Sequence, residues 1–159
     1  MPKTPDFDVA AAHQYFAADC FNRAWDMIDK QDRTPEDDRL MVALNQASIF
    51  HWLQRPDCTN QNLSIGYWQA SRIQALLGNS SESLHYARVC LSYSSDLAPF
   101  YVGYAHEALA RGYHLSGDVP QTEEHLKRGR ELANQVTDAS ERDLLLADLA
   151  SIEKTACTM

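Results

Sequence analysis

Two stretches of this chain follow one helix-turn-helix plan, and that duplication narrows the folds open to it. The first runs from Ile65 through the turn Gly78-Asn79 to Leu91, the second from Tyr104 through Gly117-Asp118 to Arg130. A shift of 39 residues (117 minus 78) lays Gly78 on Gly117, Asn79 on Asp118, Arg72 on Arg111, Ser71 on Ala110 and Leu76 on Leu115. A glycine followed by Asn or Asp makes the turn between the two helices of each unit. Hairpins of this kind stabilise one another by stacking, and about three make a stable array.

The rest of the chain supplies the missing helices. Asp6 or Asp8 suits the start of a first helix running to Lys30. On a 3.6-residue wheel Phe16, Cys20, Phe21, Ala24, Met27 and Ile28 share a broad apolar face, while Asp19, Asn22, Asp26 and Asp29 fall on the other. Thr34-Pro35-Glu36-Asp37 starts a second helix, with Met41, Leu44, Ser48 and Phe50–Leu53 expected on its buried side. It ends near Gln54, because Arg55 precedes Pro56. Asn60 or Asn62 is expected to cap a third helix, and Ser80 or Ser81 to open a fourth with Leu84, Ala87, Val89, Cys90 and Leu91 inward. Pro99 begins a fifth reaching about Ser116, and Asp118 caps a sixth ending near Val136. Asp138 or Ser140 caps a seventh carrying Leu144, Leu145, Leu149 and Ile152. No run alternates with period two, so the fold expected is all-α, in a single domain over residues 1–159. Six helices make three hairpins, and the seventh covers the apolar face that the last would leave in water.

These features resemble the tetratricopeptide repeat over roughly residues 8–136. Tyr113 matches the family's tyrosine, Ser71 and Ala110 stand where glycine or alanine is common, and Cys90 and Gly129 keep a later small position. Ser83 and Thr122 replace the usual alanine, and the Trp–Leu-Gly–Tyr pattern of the first helix is mostly lost. The offset exceeds the family's usual ~34 residues, which lengthens the loop Ser94–Pro99. The resemblance implies a right-handed stack of three hairpins plus a C-terminal capping helix. Phe21-Asn22-Arg23-Ala24-Trp25-Asp26, His51-Trp52, Trp68-Gln69-Ala70-Ser71-Arg72 and Glu107-Ala108-Leu109-Ala110-Arg111 are also similar to motifs of an uncharacterised bacterial helical-repeat family. That second likeness implies a fold and no activity.

In tetratricopeptide-like stacks the first helix of each hairpin lines a concave groove. By that resemblance Ile65, Trp68 and Arg72 face it from the third helix, and Tyr104, Glu107, Arg111 and His114 from the fifth. The first helix offers Asp19, Asn22, Asp26 and Asp29, a stripe that also reads as an ordinary solvated face. An arginine fork suits carboxylates and Trp68 offers an apolar platform, so an extended peptide or a small acidic ligand could dock there. Alternatively Arg72 and Arg111 pair internally with Glu107 or with the acids of the first helix, since unpaired burial is costly. The expected role is therefore protein or peptide binding, and exposed ends of so short a stack suit a homodimer. A small enzyme or sensor using Glu107, His106 or His114 as acid-base groups is the other reading.

Several classes are disfavoured. The net charge is -8, of which residues 1–38 supply -5 from nine acids and four bases, so nucleic acid is not an expected partner. Cys20, Cys58, Cys90 and Cys157 form no short pair and no apolar run approaches the ~20 residues of a membrane helix. A soluble cytoplasmic protein with reduced thiols is expected. Among His51, His85, His106 and His114 no pair has the i, i+4 spacing of a helical metal site, so neither metal nor other cofactor is expected. Cys90 falls at a small buried position, and Trp25, Trp52 and most tyrosines read as core. Gly112 and Gly129, each inside a helix, point to close helix contacts.

Overall fold

The helix boundaries follow from local capping chemistry. The computed structural model describes residues 4–156, and among these it holds seven α-helices and no strand. They are α1 (Val9–Asp29), α2 (Pro35–Leu53), α3 (Asn60–Leu76), α4 (Ser80–Ser94), α5 (Pro99–Ser116), α6 (Val119–Ala133) and α7 (Ala139–Ala156). Asp8 caps α1 by accepting the amide of Ala11. Thr34 and Asp37 form a reciprocal capping box with Pro35 at the first helical position of α2. Lys30 also donates to Asp37 at 2.7 Å, which ties the end of α1 to the start of α2 and holds the Asp37 carboxyl at about 2. Asp118 caps α6 and Asp138 caps α7, as their positions before each helix imply.

The duplicated turns share their closing backbone hydrogen bonds, although Asp118 caps its helix and Asn79 makes no such side-chain bond. In the first, the amide of Gly78 donates to Ala75 and that of Asn79 to Gln74. In the second, Gly117 donates to His114 and Asp118 to Tyr113, each pair 39 residues on. Both glycines have a left-handed backbone, with φ of 78° and 79°, which a side chain would strain.

Packing follows chain order. α1 packs on α2, α3 on α4, and α5 on α6, and successive hairpins meet through α2 with α3 and α4 with α5. α3 also touches α5 directly, and α7 lies on α5 and α6. Small residues permit the close approaches: a Cβ on Gly112 would lie 2.8 Å from Leu84 of α4, and one on Gly129 would lie 2.8 Å from Leu149 of α7. Apolar clusters fill the joints, with Leu84, Ala87, Ala108 and Leu109 between α4 and α5, and Ala110, Leu126, Leu145, Leu149 and Ile152 among α5, α6 and α7. The first hairpin meets the second through polar groups as well as through Ile49 against Gly66 and Trp25 against Trp68. Buried Asn45 donates to the Gln69 side chain and to the Gly66 carbonyl, and Gln69 donates to the Phe21 carbonyl.

Several expected positions differ. Thr59, not Asn60 or Asn62, caps α3; it accepts from the Asn62 amide while Asn62 returns the bond as its capping-box partner. α6 stops at Ala133 rather than Val136. Phe50 and Leu53, on the expected buried side of α2, are 53% and 52% exposed, and Phe16 on the apolar face of α1 and Leu144 of α7 are 41% and 56% exposed. Among the described residues α1 and α2 make their main contacts with each other and with α3, which leaves Phe16, Phe50 and Leu53 exposed. Val89 and Leu91 are half-buried, as are Trp25 and Trp52, and Tyr15 is exposed. Cys20, Cys58 and Cys90 are unbridged thiols; Cys157 lies outside the described residues. No helix among the described residues is long and apolar enough to cross a membrane.

Candidate functional site

The 39-residue shift makes Ile65, Trp68 and Arg72 of α3 the counterparts of Tyr104, Glu107 and Arg111 of α5. Because α3 and α5 are in contact, the two sets meet. The indole N–H of Trp68 donates to Glu107 Oε2 at 2.8 Å, a bond between exact counterparts in the two hairpins. Arg111, one turn beyond Glu107, closes on the other carboxylate oxygen through Nε at 2.8 Å and through Nη2. Glu107 is 1% exposed, so this carboxylate is buried with both oxygens occupied. α7 completes the arrangement: Ser151 lies 3.3 Å from Arg111 Nη2, and Asp148 Oδ2 accepts the Tyr104 hydroxyl at 2.8 Å. Burial and the Asp148 hydrogen bond push the Tyr104 phenol far above its ordinary range, so it stays a donor.

Arg72 is the exception in this network. Its Nε is buried without a hydrogen-bond partner, the one such side-chain atom among the described residues. Burial lowers its pKa and the neighbouring Arg111 lowers it further; Glu107, Asp148 and Tyr104 act in the opposite direction. A guanidinium remains charged under such pressure, so Arg72 presents a cation whose Nε has no hydrogen-bond acceptor.

Beside the network lies an apolar cavity of about 360 Å³ bordered by α1, α3, α5 and α7. Trp25, Trp68 and Tyr104 form a row across it, with ring centroids 5.7 Å and 5.3 Å apart, and Phe100 meets Tyr104 edge-on at 5.0 Å. Asp148 reaches the cavity from α7.

The structure thus brings together Trp68, Arg72, Tyr104, Glu107 and Arg111, with Ile65 on the cavity wall. It does not bring the α1 acids to the arginines. Asp19 pairs with Arg23 of its own helix at 3.6 Å, while Asn22, Asp26 and Asp29 are exposed. His114 borders a different cavity, of about 390 Å³, with Glu123, Leu126 and Glu153. Nor are Glu107, His106 and His114 assembled as an acid-base group. His106 turns to α6, where its Nδ1 lies 2.9 Å from that of His125, and burial holds its pKa down at about 4. Cys90 is pushed up to about 11 by burial, which makes it a packing residue rather than a nucleophile. No cluster of three or more metal-binding side chains occurs among the described residues.

Asp148, Ser151 and Trp25 are members of this site that sequence reasoning did not select. The signal for the first two was available: Leu145, Leu149 and Ile152 mark the buried stripe of α7, and Asp148 and Ser151 are polar residues beside it, spaced i, i+3. No family model, curated protein or solved structure matches the chain.

Proposed function

We propose that this chain is a helical-repeat interaction module of the tetratricopeptide type, and that it holds an acidic group of a peptide segment or small ligand at Arg72. The observation that carries the reading is the buried, unpartnered Nε of Arg72 beside an Arg111 already committed to Glu107. A buried charged donor without a partner is costly, and an incoming carboxylate would supply the acceptor that Nε lacks. The matching backbones of the two turns and the order of hairpin contacts support the repeat architecture. Unbridged Cys20, Cys58 and Cys90 support a cytoplasmic setting.

The test is a fluorescence titration, read from the tryptophans, with short peptides that carry Glu and a free C-terminus, against amidated peptides carrying Gln. The acidic peptides should bind at least tenfold more tightly, and Arg72→Met should remove that preference. Equal binding of acidic and amide peptides by the unmodified chain would overturn the proposal.

A further inference from the structure

We propose that the aromatic cavity between α1, α3, α5 and α7 is a separate binding site for an organic cation, an alkylated ammonium group. At about 360 Å³ it falls at the small end of ligand pockets, which run from roughly 300 to 1,000 Å³. Its walls are mostly aromatic, from Trp25, Trp68, Phe100, Tyr101 and Tyr104, and Asp148 is the one charged residue among those lining it.

The hydrogen bonds of the rings favour positive charge in particular. Trp68 gives its N–H to Glu107, and Tyr104 gives its O–H to Asp148. A ring that donates to a carboxylate gains electron density, which deepens the negative potential over its face and strengthens attraction to a cation. Both polar hydrogens are also spent, so the rings offer a ligand π faces rather than donors. Asp148 accepts one hydrogen bond from Tyr104 and, as a carboxylate, offers negative charge to a cationic guest.

The competing classes fit less well. An anion would face Asp148 across apolar walls with no lining cation to hold it. Arg111 does not line the cavity, and its charge is matched by Glu107; Arg72 lies one helical turn past Trp68 and also does not line it. A primary ammonium keeps a strong hydration shell, whereas an alkylated one is easily desolvated and suits ring faces. The overall charge of -8 raises the local concentration of cations. None of this rests on the Arg72 reading.

The test uses choline and its uncharged isostere 3,3-dimethylbutan-1-ol on the full chain, followed by the indole N–H resonances of Trp25, Trp52 and Trp68. Choline should shift Trp25 and Trp68 and leave Trp52 in place, with at least tenfold tighter binding than the alcohol. Asp148→Asn, which retains an acceptor for Tyr104, should weaken choline at least tenfold. Arg72→Met should leave choline binding intact or tighter, whatever it does to acidic peptides, so failure at one site is distinguishable from failure at the other. Equal affinity for choline and the alcohol, no shift at Trp25 or Trp68, or an Asp148→Asn variant that folds and binds choline normally would each overturn the inference.

Discussion

Replacing Arg72 by methionine should make this protein more stable, the opposite of the usual result for a half-buried residue. The Nε of Arg72 is buried and unpartnered, and Arg111 beside it is a like charge. An unsatisfied buried donor costs about 1–3 kcal/mol, more when charged. Arg72 is only half-buried, so solvent screens part of that penalty, and a net gain of about 1–2 kcal/mol is expected for Met. Methionine is chosen because its flexible stem fills the space of the arginine methylenes without a charge. For a chain of this size each kcal/mol moves the melting temperature by about 2–4 °C, giving a rise of roughly 2–8 °C. Calorimetry on the two proteins at matched concentration and neutral pH measures it, and urea denaturation supplies an independent free energy. A loss of 2 kcal/mol or more would show that Arg72 is a structural partner of Glu107 or Asp148, and the acidic-ligand reading would go with it.

Arg111→Ala should behave in the contrary way, costing about 3 kcal/mol because it strands the buried Glu107 carboxylate; a loss below 1 kcal/mol by urea denaturation would contradict the pairing. Gly117→Val forces a branched side chain to a φ of 79° and should cost about 1–2 kcal/mol, read as a lower melting temperature with unchanged far-UV circular dichroism. His106 has a folded pKa near 4, below the ordinary histidine value, so the unfolded chain binds more protons between about 6.5 and 4. Stability from His106 is therefore full above pH 6.5, falls as pH drops towards 4, and levels off below it. After discounting for partial exposure the loss should be about 1–2 kcal/mol, and urea midpoints of His106→Gln should fall less steeply over that window.

What could be read from the sequence was the part governed by local rules. Gly78, Gly117, Asp118 and Asp138 each act through neighbours within a few residues, and all four behave as their positions imply. The exposure of Phe16, Phe50 and Leu53 depends on whether another element arrives to cover them, and an apolar periodicity cannot show that. For the same reason α7 could be recognised as a helix covering the last hairpin, while its second contribution could not. Asp148 meets Tyr104 across 44 residues and Ser151 meets Arg111 across 40, separations at which no short pattern links the partners. Thr59 is a different case: its capping box with Asn62 is a local signal, passed over in favour of the asparagines that follow.

The two arginines differ because the two hairpins carry different residues one turn earlier. In the second hairpin Arg111 follows Glu107 at i+4 and folds back on it, an internal counter-ion supplied by its own helix. In the first hairpin the same position is Trp68, so Arg72 has no such partner on α3. Trp68 instead reaches across to the second oxygen of Glu107, while Arg72 Nε makes no hydrogen bond. One carboxylate therefore serves an arginine and an indole, and the second arginine is left over. Restoring the lost counter-ion tests this directly: Trp68→Glu should give Arg72 a partner at i+4 and lower the affinity for acidic peptides. Each of the two carboxylates then has its own arginine one turn on, so Glu107 stays in place and Arg111 keeps its partner. If the Trp68→Glu variant binds acidic peptides as well as the unmodified protein does, the missing partner is not what makes Arg72 available.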